Sequence, residues 1–210
     1  MTEQKNSDKI LQELSQHGMC IVPDVFDVDL MTRVAEDIDE ATKYCLQIQL
    51  QQKVGHKVGL EESLQGGDGA LGGAAHHVIC FEKSFFELLL FQPLFDVIEK
   101  YLGGGTFILN SFGAVTNTNL NNMYEHGKTI HRDCRTFHPS FRQQVWIMVM
   151  VDEFTTENGA TWMWKDSHSM EFAPSKEEFY QNAKQVTAPK GSVVIFDGRI
   201  WHAAGKNHTP

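Results

Sequence analysis

The chain has 210 residues, 41% of them apolar, which suits one globular domain and excludes coiled-coil, collagen-like and broadly disordered architectures. Its 18 basic and 27 acidic residues leave a net charge of −9, a field that repels a phosphate backbone and argues against sequence-independent nucleic-acid binding. No apolar run reaches the ~18–20 residues of a membrane helix, the opening MTEQKNSDKI lacks an apolar signal core, and Cys20, Cys45, Cys80 and Cys134 are too scattered for a disulfide framework. The expectation is a cytoplasmic protein with reduced thiols and neither membrane nor nucleic-acid partners.

In chain order, Ser7 is expected to cap a short helix that carries Ile10, Leu11 and Leu14 on one face and stops at Gly18. Met19-Cys20-Ile21-Val22 then reads as a strand running into Pro23. Asp27 caps a longer helix whose Leu30, Val34, Ile38, Ala41, Cys45 and Ile48 form one apolar stripe at three- and four-residue spacings. From Gln52 to His77 a polar, glycine-rich stretch predicts a long loop, suited by its hinges to close over a binding site. Within it Gly67-Asp68-Gly69-Ala70-Leu71-Gly72 spells G-x-G-x-x-G, but no strand precedes it and no helix opens after it, so a flexible loop is the better reading than a dinucleotide site. A third helix is expected over 83–102, ended by Gly103-Gly104-Gly105 and bent or divided at Pro93.

Beyond Gly105 the period changes. Phe107-Ile108-Leu109, Val145 to Val151, Ala160 to Trp164 and Ser192 to Phe196 are short β-branched and aromatic runs separated by turn-forming residues. Helices first and strands afterwards predict a single α+β domain over 1–210, with 1–105 as helical support and glycine-rich loop and 106–210 as a β-core.

Two segments carry chemistry. In Thr129-Ile130-His131-Arg132-Asp133-Cys134, His131 and Asp133 are two apart and share one side of an extended backbone. Near the end, Val193 to Phe196 forms an apolar strand, Asp197-Gly198-Arg199 a tight turn, and His202 opens the next strand. His131, Asp133 and His202 together are two imidazoles and one carboxylate, the set that binds one face of Fe(II) in non-haem oxygenases and leaves positions open for other ligands. Zinc competes for the same donors and would imply a hydrolase with an activated water, while an H-x-D pair alone also arises by chance. His126 and His138 flank the motif as loop residues or substitute ligands, while His76 and His77 have no acidic partner at ligand spacing; for all four a solvated or hydrogen-bonded side chain is the better reading. Phe112, Phe137, Trp162 and Trp164 are either pocket or core.

The stretch from His131 onward resembles the phytanoyl-CoA dioxygenase (PhyH) family of Fe(II)- and 2-oxoglutarate-dependent oxygenases. The resemblance runs in order through His131-Arg132-Asp133, Gln144-Val145-Trp146-Ile147, Val151-Asp152-Glu153, Glu157-Asn158-Gly159-Ala160, Ser167-His168, Lys190-Gly191-Ser192, Phe196-Asp197-Gly198 and Trp201-His202, and more loosely upstream to Gly18. It implies a double-stranded β-helix, a jelly-roll or cupin-like barrel, buttressed by the N-terminal helices. It implies further that His131, Asp133 and His202 bind Fe(II), with 2-oxoglutarate as cosubstrate and dioxygen as oxidant. Trp146 matches a position lining the 2-oxoglutarate pocket, though a buried core aromatic is an equal reading. Asn207-His208-Thr209 matches the family's Asn-x-Ser/Thr, which places Thr209 with the cosubstrate. An arginine that holds the distal carboxylate of 2-oxoglutarate normally follows. The sequence reaches Pro210 first, so a chain continuing for some tens of residues is expected, and Arg199, on its tight turn, is not expected to substitute. Lys165-Asp166 stands where the family has Pro-Gly. Because Asp133 is kept, where halogenases of the family carry a small residue, hydroxylation with release of succinate and CO2 is favoured. A zinc hydrolase and a non-catalytic binding protein of the same fold are the alternatives.

Overall fold

The structure, a computed structural model, describes residues 3–52, 73–76, 78–81, 83–118 and 128–209. Most of the glycine-rich stretch, including its G-x-G-x-x-G, lies outside those residues, as does His126.

The first helix, α1, spans Glu3–His17, so Ser7 sits inside it rather than at its cap; Glu3, Gln4 and Lys5 are good helix formers and extend it backwards. Ile10 and Leu14 are buried, and Gly18 ends the helix at φ 71° with its N–H donating to the Leu14 carbonyl at 2.9 Å. Strand β1, Met19–Val22, follows directly. Helix α2, Val28–Gln52, is capped as expected: the Leu30 N–H donates to Asp27 Oδ1 at 2.7 Å, and Leu30, Val34, Ile38 and Ala41 are buried. The expected third helix is two, α3 over Lys83–Leu89 and α4 over Gln92–Tyr101. Pro93 falls in the first turn of α4, where no N–H is needed.

The strand expected at Phe107-Ile108-Leu109 is absent. Ile108 is 81% exposed there, and a β-branched run without a neighbouring edge has nothing to pair with. The strand of that region is β3, Gly113–Thr116, paired with β2, Gly73–His76, which emerges from the end of the glycine-rich stretch. The remaining strands are β4 (Val145–Val149), β5 (Trp162–Met163), β6 (Lys184–Gln185), β7 (Val193–Asp197) and β8 (His202–Ala203), with helix α5, Lys176–Asn182, before β6. Helix α5 opens on a reciprocal cap: Ser175 Oγ accepts from the Glu178 N–H while the Glu178 carboxylate accepts from the Ser175 N–H.

Two antiparallel three-stranded sheets organise the second half, in orders β1-β7-β4 and β6-β5-β8. Because side chains alternate along a strand, β7 serves two cores at once. Val193 and Ile195 turn to the helices, packing with Leu14, Met31, Val34, Phe85 and Val97. Val194 and Phe196 turn the other way, packing with Met19, Met150, Met163, Val186 and Ile200 between the two sheets. Strand β4 follows the same rule, with Val145, Ile147 and Val149 towards the helices and Trp146 and Met148 towards the second sheet. All five residues of β7 are buried as a result.

Gly191 is required by close approach. Gly191 has φ 83°, and a Cβ there would overlap the Phe26 carbonyl oxygen; the Gly191 carbonyl itself accepts from the N–H groups of Val25 and Phe26. This contact ties the entry to α2 to the turn that opens β7.

Candidate metal centre

His131 and His202 face each other across a single antiparallel bridge. The His131 N–H donates to the His202 carbonyl at 3.0 Å and the His202 N–H returns to the His131 carbonyl at 2.8 Å. Directly opposed residues project to the same side, and the two rings stand 4.2 Å apart at 52°. Asp133 is held by its neighbour, whose N–H donates to the Gly198 carbonyl at 2.8 Å, and its carboxylate oxygens lie 3.9 Å from His131 Nε2 and 3.7 Å from His202 Nε2. The three donor atoms fall within 4.8 Å of one another. The structure thus brings together the three residues expected to bind metal.

The tautomers follow from the outer contacts. His131 Nδ1 lies 2.7 Å from the Thr129 carbonyl and His202 Nδ1 3.0 Å from the Ile200 carbonyl. A carbonyl only accepts, so each Nδ1 carries the proton and each Nε2 presents a lone pair. Two lone pairs and a carboxylate therefore converge with no donor among them, an arrangement that calls for a cation, and one in which the second ring nitrogen is fixed as in protein metal sites. Burial pushes the His202 imidazole below its usual value, with Asp133 opposing and His131 reinforcing, so His202 is neutral and ready to ligate at pH 7.

The remaining candidates fall as follows. Trp146 stands opposite Phe196 in the β4–β7 register, and the Phe196 ring meets the His202 ring edge-on at 5.5 Å. Trp146 thus shares the sheet face that reaches the centre, and its buried Nε1–H has no partner among the described residues. Thr209 is not in the His–Asp–His group: its N–H and hydroxyl both donate to Asn207 Oδ1, at 2.8 and 2.7 Å, and Asn207 in turn donates to the Asn117 carbonyl. Phe112 packs against Phe85 in the helical core, while Trp162 and Trp164 pack with Phe179 and Trp201 in a third cluster. Phe137 lies beneath Arg132.

Sequence reasoning missed the network behind the turn. Asp197 Oδ1 accepts from the Arg199 N–H and Nε, and Oδ2 from Arg199 Nη2, all at 2.8 Å, while the Tyr101 hydroxyl donates to Oδ2 at 2.6 Å. Arg199 also donates to the His138 carbonyl at 3.0 Å. Burial alone would raise the Asp197 carboxyl, but the hydrogen bonds from Arg199 and Tyr101 outweigh it and hold it below the usual carboxylate range. Burial and the neighbouring Asp197 push the Tyr101 phenol upward. The pair anchors the 198–200 turn that delivers His202. Asp197 and Arg199 stand two apart in the sequence, but nothing local announces Tyr101.

The chain is similar to known proteins along most of its length. Among curated proteins, "Uncharacterized protein Rv1501" of Mycobacterium tuberculosis is 23% identical over 207 residues, covering 95% of this chain and 70% of that protein. Among solved structures, SnoN, described as a non-heme alpha ketoglutarate dependent epimerase from nogalamycin biosynthesis, superposes with a TM-score of 0.66 at 16% identity, covering 98% of this chain and 77% of that one. SnoK, described as a carbocyclase of the same dependence and biosynthesis, gives 0.65 at 16% identity, covering 100% and 81%. These likenesses are of fold. The sequence profile described as Phytanoyl-CoA dioxygenase (PhyH) matches residues 14–210, taking in both histidines, the carboxylate and every strand, and the chain belongs to that family.

Proposed function

We propose that the protein is a non-haem Fe(II)- and 2-oxoglutarate-dependent oxygenase that hydroxylates an unactivated C–H bond of a small organic substrate, releasing succinate and CO2. The observation that carries this reading is the convergence of three acceptor atoms, His131 Nε2, His202 Nε2 and the Asp133 carboxylate, with no donor among them. His131, Asp133 and His202 would hold Fe(II), which with 2-oxoglutarate and dioxygen supplies the oxidation of the C–H bond. The chain's own part is to hold the two rings in one tautomer through the Thr129 and Ile200 carbonyls and to keep His202 neutral by burial. Phe196 meets the His202 ring from the core between the sheets, and Trp146, packed on that same core with a buried N–H that has no partner among the described residues, would be the donor to an acceptor oxygen of the cosubstrate. The two packed sheets are, in this reading, the walls of a double-stranded β-helix.

The balance is one substrate C–H, one 2-oxoglutarate and one dioxygen in, and one alcohol, one succinate and one CO2 out. SnoK and SnoN carry other outcomes on this fold, so the product must be read directly. The expected result is succinate release that requires Fe(II) and dioxygen, rises with substrate, places one oxygen atom of labelled dioxygen in the product alcohol, and is lost in Asp133→Ala. Turnover supported by zinc without dioxygen would instead establish a hydrolase.

A further inference from the structure

Resting on that ligand assignment, we infer that Arg132 is the positioning residue of the centre: it clamps the segment carrying His131 and Asp133 to the residue next to His202.

Asp133 needs something to aim it. Apart from the single bridge at His131, residues 131–137 form neither helix nor strand, and among the described residues no hydrogen bond holds the Asp133 carboxylate. Its direction is therefore set by its two neighbours. Cys134 fixes one side through its N–H on the Gly198 carbonyl. Arg132 fixes the other. His131 and Asp133 both reach the centre while Arg132, between them, is turned away onto Trp201 and Phe137, so the clamp on Arg132 sets the direction of Asp133 at the bend the chain makes there.

Arg132 is held by four contacts. Its Cζ lies over the Trp201 ring, 5.2 Å from the centroid, and over the Phe137 ring at 5.5 Å, both within the ~6 Å reach of a cation–π contact. Nη1 donates to the Met170 carbonyl at 3.0 Å and Nη2 to that of Arg135 at 3.4 Å. Trp201 is itself held in place: its ring is buried beside Phe179, its backbone N–H donates to Ser167 Oγ at 2.9 Å, and its carbonyl accepts from the Trp164 N–H at 3.0 Å. One guanidinium thus links the residue between two ligands to the residue adjoining the third. A planar, permanently charged group that stacks and donates at once is what the position uses, and lysine reproduces only the charge.

A merely structural arginine would lower stability and leave metal affinity alone; a positioning residue moves affinity. The test is titration of the metal-free protein with Co(II), followed by visible absorption, alongside thermal melts without metal, for the unaltered chain and for Arg132→Met, Arg132→Lys and Asp133→Ala. Contacts supporting metal ligands typically account for ~10–100-fold in affinity, so Arg132→Met is expected to bind Co(II) at least about ten-fold more weakly, with Arg132→Lys in between. Phe137→Leu, which leaves the hydrogen bonds of Arg132 and its Trp201 contact in place, is expected to weaken binding by a few-fold and serves if Arg132→Met fails to fold. Affinity unchanged within two-fold in Arg132→Met, or in Phe137→Leu where that variant stands in, would overturn the clamp while Asp133→Ala still loses binding. If instead the unaltered chain does not bind Co(II), or Asp133→Ala binds as tightly, the ligand assignment fails and the clamp falls with it.

Discussion

Asp197 shows how a residue far from the chemistry sets the site. Its side chain is 1% exposed and that of Arg199 6%, so the pair exists only because each satisfies the other. Removing one partner strands a buried charge, and Asp197→Asn is expected to cost about 3–5 kcal/mol in chemical denaturation. The pH dependence has a definite sign. The folded-state value of Asp197 lies below the ~3.9 of an unfolded aspartate, so its contribution is fully present above that value and is lost as pH falls through the window beneath it. Stability measured from pH 5 downward should fall more steeply in the unaltered chain than in Asp197→Asn; parallel curves would contradict the account. The metal candidates were legible residue by residue, because H-x-D on extended backbone and a histidine just past a tight turn each have a local geometric meaning. The Tyr101–Asp197 bond was not, since a contact across 96 positions leaves no periodicity to read.

At the scale of elements, the signals that survived are those with a mechanism inside their own sequence. Asp27 capped α2, Gly18 ended α1, and Pro93 divided the third helix into α3 and α4, each through a backbone requirement satisfied within a few residues. Strand assignments fared less well, as at Phe107-Ile108-Leu109, because a strand exists only where an edge waits for it, and the glycine- and alanine-rich β2 paired with β3 despite its weak propensity. Helix α5 carries a readable signal of its own in Ser175 and Glu178, three apart. The contact between Gly191 and the Phe26 carbonyl gives the element scale its own test. Gly191→Ala combines positive φ with a backbone overlap, and is expected to lose about 2 kcal/mol or more. The reason is the junction of α2 with β7 rather than lost burial, so an unchanged denaturation midpoint would show that this junction gives way freely.

The whole molecule explains why the centre is where it is. Strand β1, from the first tenth of the chain, pairs with β7, and β7 separates a helical core from an inter-sheet core whose far side carries the histidines. Among the described residues no helix is long and apolar enough to cross a membrane. That helix and sheet are mixed was readable from the change of period after Gly105; that β1 and β2, before it, join the strands was not, because pairing depends on which edges the helices leave open. In the proposed function His131, Asp133 and His202 bind Fe(II) and leave room for 2-oxoglutarate on the same ion. The decisive experiment is anaerobic titration of the Fe(II)-loaded protein with 2-oxoglutarate. A saturable visible charge-transfer band is expected, absent with zinc and absent in Asp133→Ala. No band in the unaltered chain, or an undiminished band in Asp133→Ala, would refute the assignment.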